Sequence, residues 1–167
     1  SDGCGGSLYC GACSVDCEMP PAPGIAVSVA DQSFMDPNGE VFLGLGTTLF
    51  WAAWAEKYNQ GKLVENLQFL SENGFNYIRA LGVVGCLDPP DPDDYSDYWA
   101  DREIKSSWSD YDEVIAGLTD RAYDDHGLRV QWTLIGDGQC TVPSSADKYE
   151  LVDRFLAMSL GREHKIM

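Results

Sequence analysis

The feature that most constrains this chain is an alternation of short apolar stretches with amphipathic helical patterns, which occurs three times in the sequence. The predicted strands span Val41–Leu45, Tyr77–Leu81 and Arg129–Ile135, and a predicted helix follows each of them. Continuous apolar strands that alternate with helices indicate a parallel sheet with right-handed crossovers. The last residues, Lys165–Met167, have the pattern of an opening fourth strand. The sequence therefore predicts an α/β protein.

Three amphipathic helices are predicted between and after these strands. Their bounds are about Lys62–Asn73, Asp110–Asp125 and Ser144–Leu160, with Ser144 or Ser145 as the cap of the third. Ser109 is placed to cap the second helix, because a serine side chain accepts a hydrogen bond from a free N–H group of the first turn. A glycine follows each helix and readily takes the left-handed conformation that ends helices. The third helix is expected to turn four residues inward: Leu151, Val152, Phe155 and Leu156.

The first 24 residues differ in composition from the rest and are rich in Gly, Ser, Cys and Pro. Proline-rich stretches act as semi-rigid spacers, so residues 1–24 are predicted to be a linker and residues 25–167 the folded domain. The linker resembles the short Cys-Gly modules of secreted bacterial multidomain proteins. At the start of the domain, Ile25–Val29 and Glu40–Leu43 flank Asp36-Pro37-Asn38-Gly39. This turn sequence predicts an N-terminal β-hairpin, because Asn and Gly tolerate positive φ.

An open doubly wound sheet and a closed barrel would both satisfy the alternation. No glycine-rich phosphate loop follows a predicted strand, and Gly44-Leu45-Gly46 is too short for a dinucleotide fingerprint. The hairpin and the long loops after the strands favour the barrel, whose enzymes build their sites from such loops. A complete (β/α)8 barrel takes about 250 residues, whereas this chain has 167. We therefore expect the N-terminal part of a TIM barrel, from its first strand through its third helix and the start of its fourth strand.

Three segments resemble clan-A glycoside hydrolases, the cellulase- and mannanase-like (β/α)8 barrels: Phe34–Gly46, Leu70–Arg79 and Gly161–Met167. The resemblance implies a secreted retaining enzyme that cleaves β-glycosidic bonds in polysaccharides or oligosaccharides. Retaining enzymes place an acid/base and a nucleophilic carboxyl group about 5–5.5 Å apart. In the resembled family these groups come from strands four and seven, neither of which the sequence carries in full. The fragment is therefore expected to be inactive by itself and to need the remainder of the barrel.

Four residues are candidates for a carbohydrate site. Arg79 is placed toward the C-terminal end of the predicted second strand, where the resembled family uses an Arg to keep its nucleophilic carboxylate ionised and in place. Pairing with a structural acid is the alternative for Arg79. Trp51 and Trp54 could stack on the apolar faces of sugar rings, although their spacing of three suits core packing equally well. Asp137 follows the third strand, either as a hydrogen-bonding group for substrate or, as its Gly-Asp-Gly context favours, as a turn former.

Six cysteines suggest disulfides and an oxidising, extracellular compartment. Cys86 and Cys140 follow adjacent predicted strands, so a bridge between them would join two rim loops and close a segment of about 54 residues. The other four lie in the linker, where their pairing is not fixed by the sequence: Cys4, Cys10, Cys13 and Cys17. A zinc site at the C-x-x-C of the linker is the less favoured alternative, since no His is nearby.

A net charge of −16 argues against nucleic acid as a partner, because phosphate contacts need Lys and Arg. Uncharged carbohydrate is compatible with this charge. No apolar run approaches the ~20 residues that a membrane helix requires. The acidic stretch Asp88–Asp97 could bind Ca²⁺ but lacks the spacing of an EF-hand loop, so a solvated loop is favoured. We predict no cofactor and no resident metal.

Two other functional classes remain open at this stage. A non-catalytic carbohydrate-binding or structural component of an extracellular assembly could keep the same barrel. An open α/β domain, such as an esterase, would be marked by a Gly-x-Ser-x-Gly elbow, and the sequence contains none.

Overall fold

The computed structural model describes residues 24–30, 32–85, 102–136 and 141–167. Two strands form an antiparallel hairpin, β1 (Ala26–Ser28) and β2 (Ser33–Met35). Three further strands form a parallel sheet: β3 (Gly46–Thr48), β4 (Tyr77–Val83) and β5 (Arg129–Ile135). The helices are α1 (Ala52–Tyr58), α2 (Gln60–Glu72), α3 (Tyr111–Asp120) and α4 (Ser145–Ser159). A π-helical turn (Arg121–Asp125) follows α3, and a 3-10 turn (Glu163–Lys165) follows α4.

The parallel sheet has the strand order β3-β4-β5, so each strand pairs with the one before it in the chain. Beyond β5, Ile166 forms a parallel bridge with Val130, and the Met167 N–H donates to the Val130 carbonyl at 3.1 Å. This bridge supports the predicted strand start at Ile166 and Met167, whereas Lys165 belongs to the 3-10 turn. The α/β class is therefore confirmed. The described strands form an open sheet, and closure into a barrel stays a prediction.

The first parallel strand lies later in the chain than the sequence suggested. It is β3 (Gly46–Thr48) and not Val41–Leu45, so that prediction was wrong. The Asn76 side chain explains the difference, because its amide donates to the Leu43 carbonyl and its oxygen accepts from the Leu45 N–H, both at 2.8 Å. Backbone groups that bond to a side chain in this way are not available to a neighbouring strand.

The N-terminal hairpin is also shifted from its predicted pairing. Ala26–Ser28 pairs with Ser33–Met35, and not with Glu40–Leu43. The predicted turn does form: Gly39 has a φ of 79° and its N–H donates to the Asp36 carbonyl at 3.0 Å. The turn joins β2 to Val41, which bridges back to Met35. The Glu40 N–H donates to the Asp36 carboxylate, and this hydrogen bond is the main reason why the pKa of Asp36 lies below its usual value.

The helices follow the predictions with three exceptions. A short helix, α1, precedes the helix predicted at Lys62, and α2 itself begins at Gln60. Asp110 and not Ser109 occupies the N-cap position of α3, and no side-chain cap bond forms there. In α4, Val152 and Leu156 are 36% and 59% exposed, so the prediction that both face the core was wrong.

The third predicted helix, which is α4 in the structure, begins where the sequence predicted. Ser144 caps α4 through a reciprocal capping box with Asp147, in which each side chain accepts from the other residue's backbone N–H. The glycines after the helices were also placed correctly. Gly74, Gly127 and Gly161 have φ values of 80°, 70° and 79°, in the left-handed region.

The hydrophobic core lies between the helices and one face of the parallel sheet. Ile78, Ala80 and Val130 belong to that core and are fully buried. Trp132 lies on the same face, where its Nε1 donates to the Thr119 hydroxyl at 3.2 Å, in agreement with a place in the core. Because side chains alternate along a strand, the residues between these point away from the described helices.

Glycine at position 82 permits close contact between the sheet and α3. A Cβ there would lie 2.9 Å from the Leu134 carbonyl oxygen and 3.1 Å from the Tyr111 hydroxyl. That hydroxyl donates to the Gly82 carbonyl at 3.0 Å. Burial of the ring raises the pKa of Tyr111. The phenol therefore keeps its proton, and with it the donor role, to a higher pH than an ordinary tyrosine.

Ion pairs join elements of the helical layer. Between α1 and the π-helical turn after α3, the Arg121 guanidinium donates to both carboxylate oxygens of Glu56, at 2.8 and 2.9 Å. At the end of the described chain, Arg162 and Lys165 both donate to Asp120. Burial acts to raise the pKa of Asp120, but these two cations outweigh it and hold the pKa below the usual value.

Candidate functional site

The candidate site is the face of the parallel sheet that carries none of the described helices, which we name the helix-free face. We define the site by four residues: Thr48, Arg79, Gln131 and Thr133. Thr48 pairs in register with Arg79, and Arg79 pairs with Gln131, so these three side chains form one polar row across three strands. Thr133 lies two residues further along β5 on the same face. Thr48 and Arg79 are exposed, and the two β5 residues are half-buried.

Arg79 lies in the middle of its strand. The sequence analysis placed it toward the C-terminal end of the strand, but β4 continues to Val83, two residues past the predicted strand end at Leu81. Its Nε donates to the Thr133 hydroxyl at 2.9 Å. Among the described residues no carboxylate pairs with Arg79, and no other hydrogen bond involves its guanidinium. Within that part of the chain, the structural alternative of an Arg paired with an acid therefore finds no partner.

Trp51 and Trp54 lie together at the start of α1, on one side of the helix as their spacing predicts. The Arg102 guanidinium lies over both rings, with its Cζ 5.8 Å from the Trp51 centroid and 5.4 Å from that of Trp54. Both rings are half-buried and pack against the core. A cation over an aromatic face is itself stabilising, so this cluster combines a structural contact with partial exposure. Stacking of these rings on a sugar stays a prediction.

A second aromatic cluster surrounds Lys57, near the other end of α1. The Lys57 ammonium lies 5.4 Å from the ring centroid of Tyr58 and 5.2 Å from that of Trp108. The same ammonium pairs with the Asp110 carboxylate, and this hydrogen bond is the main cause that lowers the pKa of Asp110. All the charges here have partners, so we assign the cluster to the packing of α1 against α3.

Several predicted residues lie outside the described ranges, and their predictions stay as made. They are Asp137, the acidic stretch Asp88–Asp97 and all six cysteines: Cys4, Cys10, Cys13, Cys17, Cys86 and Cys140. The predicted linker, residues 1–24, also lies outside the described ranges except for Gly24. Across the described ranges, no three acidic, histidine or cysteine side chains come together as a metal site would require. No helix in that part of the chain has both the length and the apolar character to cross a membrane.

Three residues of the site were missed in the sequence: Thr48, Gln131 and Thr133. They belong to strands, and residues within apolar strands were interpreted as part of the hydrophobic core. A signal for two of them was present, because positions 131 and 133 alternate with the apolar Val130, Trp132 and Leu134. Such alternation predicts a strand with one polar face.

A search with protein-family models found no match to this chain. A search of curated protein sequences also found none. Among solved structures, one described as "Glycoside hydrolase" matches 89% of this chain and 34% of its own length, with a TM-score of 0.54 and 18% sequence identity. The two share a fold. At this identity the likeness concerns the fold alone, and the chain spans about a third of the solved structure's length.

Proposed function

We propose that this chain is the N-terminal part of a secreted, bacterial glycoside hydrolase-like protein that acts on β-glycosidic bonds in polysaccharides or oligosaccharides. The observation that carries the proposal is Arg79, an exposed guanidinium on the helix-free face with no anionic partner among the described residues. The fold shared with part of a glycoside hydrolase supports it. A cation in this position would favour the ionised form of a carboxylate that approached it.

The polar row supplies the groups that a sugar needs. Thr48 and Gln131 offer a hydroxyl and an amide, which can donate to and accept from sugar hydroxyls. The exposed parts of Trp51 and Trp54 would add apolar ring surface for stacking on a sugar. The paired carboxyl groups of retaining hydrolysis would come from later strands, so by this proposal residues 1–167 bind carbohydrate without cleaving it.

Two surfaces would receive the remainder of the barrel. One is the outer edge of β5, where Ile166 already forms a parallel bridge. The other is a stripe on α4 whose apolar side chains are exposed: Tyr149, Val152, Leu156 and Leu160. A paired edge and a covered stripe are what further strand–helix units would provide.

The test is carbohydrate binding by the purified 167-residue chain. We expect β-linked gluco- or manno-oligosaccharides to change the NMR signals of the polar row in a saturable way. Arg79→Met should weaken this binding, because it removes the cation and keeps a long apolar side chain. Arg154→Met is the matched control, since Arg154 pairs with Asp112 between α3 and α4, on the helical layer.

Two results would contradict the proposal. One is the absence of saturable binding across a panel of β-linked glucans, mannans and related oligosaccharides. The other is equal binding by wild type and Arg79→Met with no effect that separates it from Arg154→Met. Release of reducing sugar by the chain alone would contradict the further proposal that the pair of catalytic carboxyl groups comes from later strands.

A further inference from the structure

The hydrogen bond between Arg79 and Thr133 runs diagonally across the sheet. Arg79 pairs in register with Gln131, and Thr133 pairs with Leu81. To reach Thr133, the Arg79 side chain must therefore lean along the strands by two residues, toward their carboxyl ends. In β/α folds that end of the sheet is where ligands bind. The bond thus gives the guanidinium a direction as well as an anchor.

Arg79 differs from the ion-paired arginines of the described chain in the acceptor of its Nε–H, which is a neutral hydroxyl and not a carboxylate. Arg121 and Arg162 each present Nε together with one terminal nitrogen to a carboxylate, Glu56 and Asp120 respectively. Arg154 also turns its Nε toward a carboxylate. These pairs use the side edge of the guanidinium. Arg79 instead donates its Nε–H to a neutral hydroxyl.

This choice of anchor has two chemical consequences. A hydroxyl accepts a hydrogen bond without neutralising the positive charge, so the charge stays available to an anion. With Nε occupied, the remaining edge is the end-on fork formed by Nη1 and Nη2, which matches the two oxygens of a carboxylate. Threonine also suits the role of anchor because its branched side chain has few rotamers.

We propose that Thr133 is a positioning residue that holds the Arg79 guanidinium so that its two terminal nitrogens bind a carboxylate end-on. The identity of that carboxylate as a catalytic group of a longer protein rests on the function proposed above. The positioning itself does not, because it can be measured with acetate as the probe and with no carbohydrate present.

The experiment compares wild type with Thr133→Val, which keeps the shape of the side chain and removes the hydroxyl. Thr133→Ser keeps the hydroxyl and should restore wild-type behaviour. Thr47→Val is the matched control, since Thr47 pairs in register with Ile78 on the helix-covered face. The readout is the exchange rate with water of the Arg79 Nε–H in ¹⁵N NMR spectra, with the signal assigned by its loss in Arg79→Lys. A titration with acetate follows for each protein.

We expect Thr133→Val to speed exchange of the Nε–H by about fivefold, which corresponds to the loss of one ordinary hydrogen bond. We expect acetate affinity to fall roughly threefold in the same variant, because a free side chain must lose rotamers on binding. Unchanged exchange in Thr133→Val would overturn the proposal. Faster exchange with unchanged acetate affinity would overturn it too, since the bond would then be only structural. Failure of oligosaccharide binding together with the expected Thr133 results would reject the proposed function alone.

Discussion

The ion pair between Glu56 of α1 and Arg121 of the π-helical turn gives the sharpest prediction of stability. Glu56→Gln keeps the volume of the side chain and removes its charge. In the wild type, Arg121 binds both oxygens of Glu56, and the two side chains are 6% and 28% exposed for Glu56 and Arg121 respectively. Removal of one partner of a buried pair costs about 3–5 kcal/mol. Because water still reaches part of Arg121, we expect the low end, a loss of about 3 kcal/mol in the free energy of unfolding.

The assay is urea unfolding at pH 7, followed by tryptophan fluorescence. Glu65→Gln is the control, since Glu65 pairs with Lys62 on α2 where both side chains are more than half exposed. Its loss should not exceed about 0.5 kcal/mol. In the double variant with Arg121→Met both charges are absent, and the loss should fall short of the sum of the single losses by about 1–3 kcal/mol. A Glu56→Gln loss no larger than that of Glu65→Gln would refute the reasoning.

Three further predictions follow from the structure and the sequence. Gly82→Ala should lower the free energy of unfolding by about 2 kcal/mol, because the new Cβ would meet backbone atoms of Leu134. Gly61→Ala on α2 is the control: the space there is open, so this change should raise the free energy of unfolding by about 0.5–1 kcal/mol. The lowered pKa of Asp120 means that its carboxylate stabilises the fold above about pH 4 and that this contribution is lost as the pH falls through the folded pKa. Asp120→Asn should therefore flatten the acid side of a stability–pH profile. Peptide mapping without reductant should find Cys86 joined to Cys140.

Each of these has a contrary outcome. Equal effects of alanine at positions 82 and 61 would show that the close contact at the sheet can relax. An unaltered acid slope in Asp120→Asn would assign the acid sensitivity to other carboxylates. Free thiols at both Cys86 and Cys140 in a protein made under oxidising conditions would contradict the prediction of a disulfide between them.

The sequence was most informative where local chemistry decides the structure. Ser144 caps α4, and the glycine at position 161 follows it with positive φ, as the pattern of caps and stops predicts. β5 has its predicted bounds because apolar residues alternate within a stretch that Gly127 sets off from the helix. Such features depend on a few neighbouring residues and on backbone preferences that hold in most folds.

Long-range contacts explain where the sequence failed. Val41–Leu45 has the composition of a strand, but the Asn76 amide, about thirty residues away, bonds to its backbone instead. Ser109 was a reasonable cap, yet Asp110 takes the position and pairs with Lys57 of another helix. In the site, Arg79 was found from the family resemblance, although β4 continues past it to Val83. Thr133 was not, because its role appears only when two neighbouring strands are aligned.

The strand order of the parallel sheet has a consequence for how this protein can be made. β4 pairs with β3, β5 with β4, and Ile166 with β5, so each addition to the parallel sheet after β3 finds its partner among residues that come earlier in the chain. During synthesis that partner has already left the ribosome when the next strand emerges. Each strand–helix unit after β3 can therefore be added to an existing template as it is synthesised.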